Sequence, residues 1–151
     1  MRQKIKVLGE QMKKTICIVA CVLFVFALAS CGLREATEKA RDSVSNLLGA
    51  LGEGDYEAAA GFMHPSSESA TKEAMERFDK GLAEKGIALS EGVTVTEMED
   101  FNFSLSDSYY GGSVYEFEFS AEIGEKKCTV KAEVHENAGG FGVYKINIGS
   151  K

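Results

Sequence analysis

The chain has 151 residues, of which 44% are apolar and 26% charged, and its formal net charge is −6. A single proline and an ordinary apolar content exclude a disordered or collagen-like chain. The length fits one domain. Four cysteines are too few for a scaffold held together by disulfides.

The first thirty residues have the pattern of a secretory signal. Five basic residues precede an apolar run over residues 16–28, and small residues follow that run. As a helix the run would span about 20 Å, against about 30 Å of bilayer hydrocarbon, so we do not expect a permanent membrane span. Met12, which two lysines follow, is an alternative start to Met1.

The next residues suggest how the protein is anchored. Leu28-Ala29-Ser30-Cys31 resembles the lipobox of bacterial lipoproteins. The resemblance implies cleavage between Ser30 and Cys31, and a diacylglyceryl thioether on the sulfur of Cys31. Each buried CH₂ contributes about 0.8 kcal/mol, so two acyl chains make a durable anchor. The alternatives are a signal cut near a chance cysteine and an uncleaved anchor.

The resemblance therefore implies a signal peptide over residues 1–30 and a single lipid-anchored domain over residues 31–151. It places that domain at the bacterial cell membrane, facing outside the cytoplasm. The first thirty residues hold five of the 17 basic and one of the 23 acidic residues, so cleavage would leave a net charge of about −10. Such a domain is repelled by nucleic acid, which we exclude as a partner. Cys128, the one thiol left, is expected to be a small buried residue.

Apolar residues spaced by three and four predict three helices in the first half of the chain. The first covers residues 34–51. The second covers residues 56–63, with Asp55 as its N-cap. The third covers residues 67–84, with Gly86 ending it.

After Gly86 the apolar period becomes two, which predicts four strands. The first covers residues 92–105, with a bulge at 97–100 because glutamates interrupt its apolar face; two short strands are the alternative. The second and third cover 113–123 and 126–135.

A two-residue turn at Gly124-Glu125 joins these two strands and fixes their register. It places Ala121 opposite Cys128 and Glu118 opposite Lys131, and a one-residue slip would bury the charges. By the same register, the remaining cross-strand pairs are Phe119 with Val130, Phe117 with Ala132, Tyr115 with Val134, Glu122 with Lys127 and Glu116 with Glu133. A last strand, 141–148, has Tyr144, Ile146 and Ile148 on one face.

This order predicts an α+β domain of three N-terminal helices packed on a curved four-stranded antiparallel meander sheet. Together with the segments Gly54-Asp55-Tyr56-Glu57-Ala58-Ala59 and Gly142-Val143-Tyr144-Lys145-Ile146, it is similar to the cystatin-like and nuclear-transport-factor-2-like folds, and to small bacterial lipoproteins built on them. The last strand lacks the tryptophan usual in that fold, and Tyr144 stands in its place. The resemblance implies a cone-shaped cavity between helices and sheet but no particular chemistry.

No residue is predicted to be catalytic, to hold a cofactor or to bind a metal. His64 precedes Pro65 at a helix end, where we expect a capping or surface role. His135 shares a strand face with Glu133, but a metal site needs three or four ligands. The sequence has no Gly-x-Ser-x-Gly elbow and no glycine-rich phosphate loop.

We therefore expect a non-enzymatic module that binds a small molecule or an envelope protein. Its pocket is predicted to be lined by six aromatic residues: Phe62, Phe78, Tyr115, Phe117, Phe119 and Tyr144. One alternative is an isomerase- or lyase-type enzyme that uses a cavity carboxylate from residues 97–100. The other is a structural spacer with a filled core. The oligomeric state is not predicted.

Overall fold

A computed structural model describes residue 32 and the ranges 34–105 and 111–151. The chain divides into two compact units, Met1–Glu38 and Lys39–Lys151, and the second contains nearly all the structure described below. The predicted signal peptide and the cleavage site at Ser30 and Cys31 lie outside the described residues. Within the described ranges, no helix is long and apolar enough to cross a membrane.

Three helices precede the sheet in the described part of the chain. Helix α1 covers residues 34–52, α2 covers Tyr56–Gly61 and α3 covers Lys72–Glu84. The buried side chains of α1 follow the helical period: Ala40, Val44, Leu47, Leu48 and Leu51.

Helix α3 begins later than its predicted start at residue 67. Residues 64–67 form a turn in which the Ser67 N–H donates to the His64 carbonyl at 2.8 Å. The helix then starts after Thr71, whose side chain accepts a hydrogen bond from the Ala74 N–H at 3.2 Å. Ser and Thr favour such capping positions over helix interiors, which is why the turn and cap replace the predicted first residues.

The predicted cap at Asp55 and the predicted helix end at Gly86 are confirmed, whereas α2 ends at Gly61 rather than at residue 63. The Asp55 side chain accepts from the Ala58 N–H at 3.0 Å and caps α2. At the end of α3, Gly86 has φ +74°, and the Ile87 N–H donates back to the Leu82 carbonyl at 2.9 Å. This is a Schellman motif, which needs a residue that tolerates positive φ. A short 3₁₀ helix, Leu89–Glu91, leads into the sheet.

The sheet is a four-stranded antiparallel meander in the order β1-β2-β3-β4. Its strands are β1 Val93–Leu105, β2 Ser113–Ile123, β3 Lys126–Asn137 and β4 Gly140–Ser150. The predicted order of helices followed by an antiparallel sheet is thus confirmed. The register between β2 and β3 is also as predicted at every pair, and Glu118 and Lys131 form an ion pair of 2.9 Å.

Strand β1 contains two bulges, one within the predicted range 97–100 and one just before it that was not predicted. Its pairing with β2 shifts between Val95 and Glu97 and again between Met98 and Asp100, so Thr96 and Glu99 are the extra residues. Before Thr96 the core-facing residues of β1 have odd numbers, between the two bulges they have even numbers, and after Glu99 they again have odd numbers. The residues that pair with the buried positions of β2 are therefore all apolar: Val93, Val95, Met98, Phe101 and Phe103.

The core joins the buried faces of the helices to that of the sheet. Tyr115, Phe117 and Phe119 of β2 are almost fully buried, and Phe101 of β1 packs on Phe117 with ring centroids 5.2 Å apart. Cys128 is a fully buried free cysteine, as predicted, and burial raises the pKa of its thiol.

The prediction for Tyr144 is wrong. The pairing of β3 with β4 shifts so that Glu133 faces Lys145 and Val134 faces Val143, which leaves Tyr144 without a partner opposite. Val143 therefore takes the buried position. Tyr144 is 38% exposed and stacks on His135 with ring centroids 4.3 Å apart. In a regular strand Tyr144 would lie on the same side of the sheet as Ile146 and Ile148. The one-residue bulge turns its side chain to the other side.

Candidate functional site

A pocket of about 340 Å³ lies where α1 passes the bulged part of β1. We call it the bulge pocket. It is lined by Arg41 and Ser45 of α1, residues 95–98 of β1, and Phe119 of β2. Its volume is at the lower end of the range for small-molecule sites, about 300–1,000 Å³.

The apolar surface of the bulge pocket comes from core-facing side chains of β1 that remain partly exposed. Val95 is 40% exposed and Met98 is 47% exposed, although both belong to the core-facing set of β1. They lie beside the buried Phe119. Each 100 Å² of apolar surface that a ligand covers contributes about 2.5 kcal/mol, so this exposed surface favours an apolar ligand group.

Polar groups at the same pocket are suited to orienting a ligand. Arg41 has no ion-pair partner among the residues that the structure describes, which leaves its guanidinium available to an anion. Glu97 supplies a carboxylate, and Ser45 supplies a hydroxyl. The Thr96 hydroxyl donates to the Ser120 carbonyl at 3.1 Å and so fixes the first bulge to β2.

The second bulge is held by a small charged network. The Lys151 ammonium and the Ser120 hydroxyl both donate to the Glu99 carboxylate, and Lys151 also donates to the Ser120 hydroxyl at 2.6 Å. These hydrogen bonds, that from Lys151 above all, hold the pKa of Glu99 below its ordinary value. The network anchors the extra residue of the bulge to the sheet.

Of the six aromatic residues predicted to line a pocket, three lie together on the buried face of β2, where Phe117 stacks on Phe119 with ring centroids 5.4 Å apart. Phe119 lines the bulge pocket, whereas Tyr115 and Phe117 are packed in the core. Phe62 and Phe78 are half-buried at α2 and α3, and neither lines the bulge pocket. Phe119 is thus the member of the predicted set that lines the bulge pocket. That the other five residues line a ligand site stays a prediction.

Sequence reasoning missed most of the bulge pocket. Nothing in the sequence placed Arg41 of α1 near residue 95 of β1. The available signal was the pair of glutamates that interrupts the apolar face of β1, since that interruption predicted the bulge.

A second groove of about 380 Å³ crosses the solvent side of the sheet. It is lined by four carboxylates, two lysines and two amides, together with Phe117 and Ala132. Several of these groups already bind one another: Lys131 pairs with Glu118 at 2.9 Å, and Asn102 donates to Glu116 at 2.8 Å. Because these polar side chains already bind one another, this second groove is less suited than the bulge pocket to hold a ligand.

The position of His64 differs from the expected surface role. Its side chain is fully buried, beside the half-buried His135 with ring centroids 5.9 Å apart. His135 contacts the carboxylate of Glu133, with which it shares a strand face. In the described ranges, no group of three or more His, Cys, Asp or Glu side chains could hold a metal ion.

Comparison with known proteins gives distant structural likenesses. No protein-family model matches the sequence, and no curated protein matches it significantly. Among solved structures, the chain is similar to an NTF2-like protein with a cystatin-like fold from Novosphingobium aromaticivorans. The identity is 10% and the TM-score 0.47, over 80% of this chain and 84% of the other. A likeness this distant assigns neither family nor function.

Proposed function

We propose that this protein is a lipid-anchored binding module that faces outside the cytoplasm. The anchor is a diacylglyceryl group on Cys31, formed after cleavage behind Ser30. The ligand is a small amphipathic molecule that occupies the bulge pocket. The observation that carries the binding role is the uncovered apolar pair Val95 and Met98, beside Arg41, which has no ion-pair partner within the described ranges.

The proposed ligand has an apolar part and an anionic group. Its apolar part covers Val95, Met98 and the ring of Phe119, which gains free energy from the removal of apolar surface from water. Its anionic group binds the Arg41 guanidinium, because charge-assisted hydrogen bonds to arginine are stronger than neutral ones. Ser45 adds a hydroxyl for orientation.

The anchor is tested by the phase behaviour of the full chain expressed in a bacterium. We expect the wild type to partition into a detergent phase and to have the mass of a lipidated chain that begins at Cys31. Cys31→Ala should stay in the aqueous phase or keep its leader. Cys21→Ala is the matched control, since that cysteine lies in the leader, and it should behave as the wild type. An intact leader on the wild type contradicts the anchor.

The pocket is tested with anilinonaphthalene sulfonate, an amphipathic anion whose fluorescence rises in apolar sites. Met98→Asp should weaken its binding about tenfold, equivalent to about 1.4 kcal/mol, and Arg41→Gln should also weaken it. Leu105→Asp is the control: Leu105 is 72% exposed on the same strand but does not line the pocket. Absence of saturable binding, or equal effects of Met98→Asp and Leu105→Asp, contradicts the binding role.

Glu97 supports a second candidate, an isomerase- or lyase-type enzyme with that carboxylate as its base. Such an enzyme also needs an acidic donor near the carboxylate. Two tyrosine hydroxyls that could donate do not line the bulge pocket: Tyr56 donates to Asp79 at 2.8 Å and Tyr115 to Glu136 at 3.3 Å. The binding module is therefore preferred. A Glu97→Gln variant that binds the probe normally but loses a measured proton-exchange activity would reverse this preference.

A further inference from the structure

A separate group of polar side chains lies where the connection between α2 and α3 meets the β3–β4 turn. The imidazole of His64 is fully buried and is held between two partners. Its Nδ1 lies 2.7 Å from the Ser66 hydroxyl, and its Nε2 lies 3.2 Å from Oδ1 of Asn137. Ser66 itself is exposed.

Two further hydrogen bonds fix the proton positions in this group. The Gly139 N–H donates to Oδ1 of Asn137 at 2.8 Å, so that atom is an acceptor and Nε2 of His64 must carry a proton. The Ser66 N–H donates to Nδ1 at 3.2 Å, so Nδ1 presents a lone pair. In this tautomer, the hydroxyl of Ser66 donates its proton to Nδ1.

The arrangement is that of an activated nucleophile. A hydroxyl is a weak nucleophile alone and becomes effective when a base accepts its proton and a third group orients that base. Burial shields the imidazole, whereas Ser66 remains open to a reagent. Asn137 acts as a positioning residue because its oxygen holds the imidazole in the tautomer that accepts.

We propose that Ser66 is acylated by small activated esters, with His64 as the base and Asn137 as the positioning residue. Ser66 Oγ attacks the carbonyl carbon as its proton moves to Nδ1 of His64, and a tetrahedral intermediate forms. The bond to the leaving group then breaks, and that group takes the proton from Nδ1. The products are an ester on Ser66 and the protonated leaving group, with His64 neutral as before.

This activity is independent of the bulge pocket, since none of these three residues lines it. The test uses the purified full chain and two probes, an alkyl fluorophosphonate and p-nitrophenyl acetate. We expect one adduct per chain by intact mass, mapped to Ser66 by peptide mass spectrometry, and no adduct in Ser66→Ala. Ser69→Ala, in the same connection, is the matched control and should be labelled as the wild type.

The role of the base is tested by His64→Gln, which should slow labelling of Ser66 by about 100-fold or more. Because a buried substitution can disturb folding, circular dichroism is recorded for each variant. His64→Gly, whose missing ring leaves a space, should regain labelling when imidazole is added, and a turn with only a structural role would show no such rescue. Asn137→Asp, which keeps an acceptor, should be labelled faster than Asn137→Leu.

Three results would overturn the proposal. They are a folded wild type without an adduct, an adduct at another residue, and a folded His64→Gln labelled at the wild-type rate. In each case, His64 and Ser66 would form a structural turn only.

Discussion

At the scale of single residues, Glu99 links an ionisation to the shape of β1. It is the extra residue of the second bulge, and its carboxylate receives hydrogen bonds from Lys151 and Ser120. These bonds hold its pKa below the ordinary value. The network therefore stabilises the fold fully above the ordinary pKa of a glutamate, and this contribution is lost as the pH falls through the lower pKa of the folded state.

We predict that Glu99→Gln lowers the melting temperature at pH 7 by no more than a few degrees, because exposed ion pairs contribute little. The difference from the wild type should shrink as the pH falls below the ordinary pKa of a glutamate and vanish once the carboxylate of the folded wild type is protonated. Thermal melts at a series of pH values measure this. A difference that grows on acidification would contradict the assignment. Glu122→Gln is the control, since Glu122 lies in β2 and forms no ion pair among the described residues.

At the scale of elements, each bulge of β1 absorbs one extra residue independently of the other. The extra residue is left unpaired, so the residues before and after it pair with consecutive residues of β2 and the apolar ones stay on the core side. Without Thr96 and Glu99 the strand would alternate regularly, with apolar residues at every core-facing position and polar residues between them. The bulges also leave Val95 and Met98 uncovered and shape the bulge pocket.

We predict that deleting Glu99 alone changes the stability by no more than about 1 kcal/mol, because Met98 and Asp100 then pair with consecutive residues of β2 and Phe101 keeps its core position opposite Phe117. Deleting Thr96 alone should have a similarly small effect. Deleting both should also leave the protein folded, since the alternation then matches β2 throughout. Urea unfolding measures all three variants.

The double deletion also tests whether the bulges are needed for the proposed binding but not for folding. The variant should fold but lose binding of the fluorescent anion, because residues 95–98 would no longer line a pocket. A single or double deletion that unfolds the protein would contradict this account of β1.

At the scale of the whole molecule, Gly142 allows the helical part of the chain to pack against the last strand. Met63 forms a parallel bridge with Val143, the Val143 N–H donates to the Phe62 carbonyl at 2.9 Å, and the His64 N–H donates to the Val143 carbonyl at 2.8 Å. A Cβ at Gly142 would lie 2.7 Å from the His64 nitrogen and 2.8 Å from the Met63 oxygen. Only glycine permits so close an approach of two backbones.

We predict that Gly142→Ala destabilises the protein by about 1–3 kcal/mol, because the two backbones must separate. Gly149→Ala is the control in the same strand, since no atom lies within 4 Å of its added Cβ, and it should be close to neutral. Chemical denaturation measures both. Because Gly142 also contacts the segment that holds His64, Gly142→Ala should slow acylation of Ser66. Equal stabilities of the two variants would contradict the close approach.

Much of the fold could be predicted from the sequence because its causes are local. Periods of 3.6 and 2 mark the helices and strands, and Asp55 and Gly86 mark helix ends through the backbone conformations and hydrogen bonds they favour. The register of β2 and β3 followed from a two-residue turn, because a slip would bury Glu118 and Lys131. The start of α3 was missed because serine and threonine, which form the preceding turn and the cap, also occur in the first turn of helices.

The sites depended on contacts between distant parts of the chain, and these only the tertiary structure determined. Arg41 and Val95 meet because α1 crosses the bulged strand, and His64 meets Asn137 across 73 positions of sequence. The bulge at Tyr144 also moved a predicted pocket residue to the other side of the sheet. By itself, the sequence determined the elements, their order and the central register, since each follows from neighbouring residues. Which side chains share a pocket depends on how those elements pack.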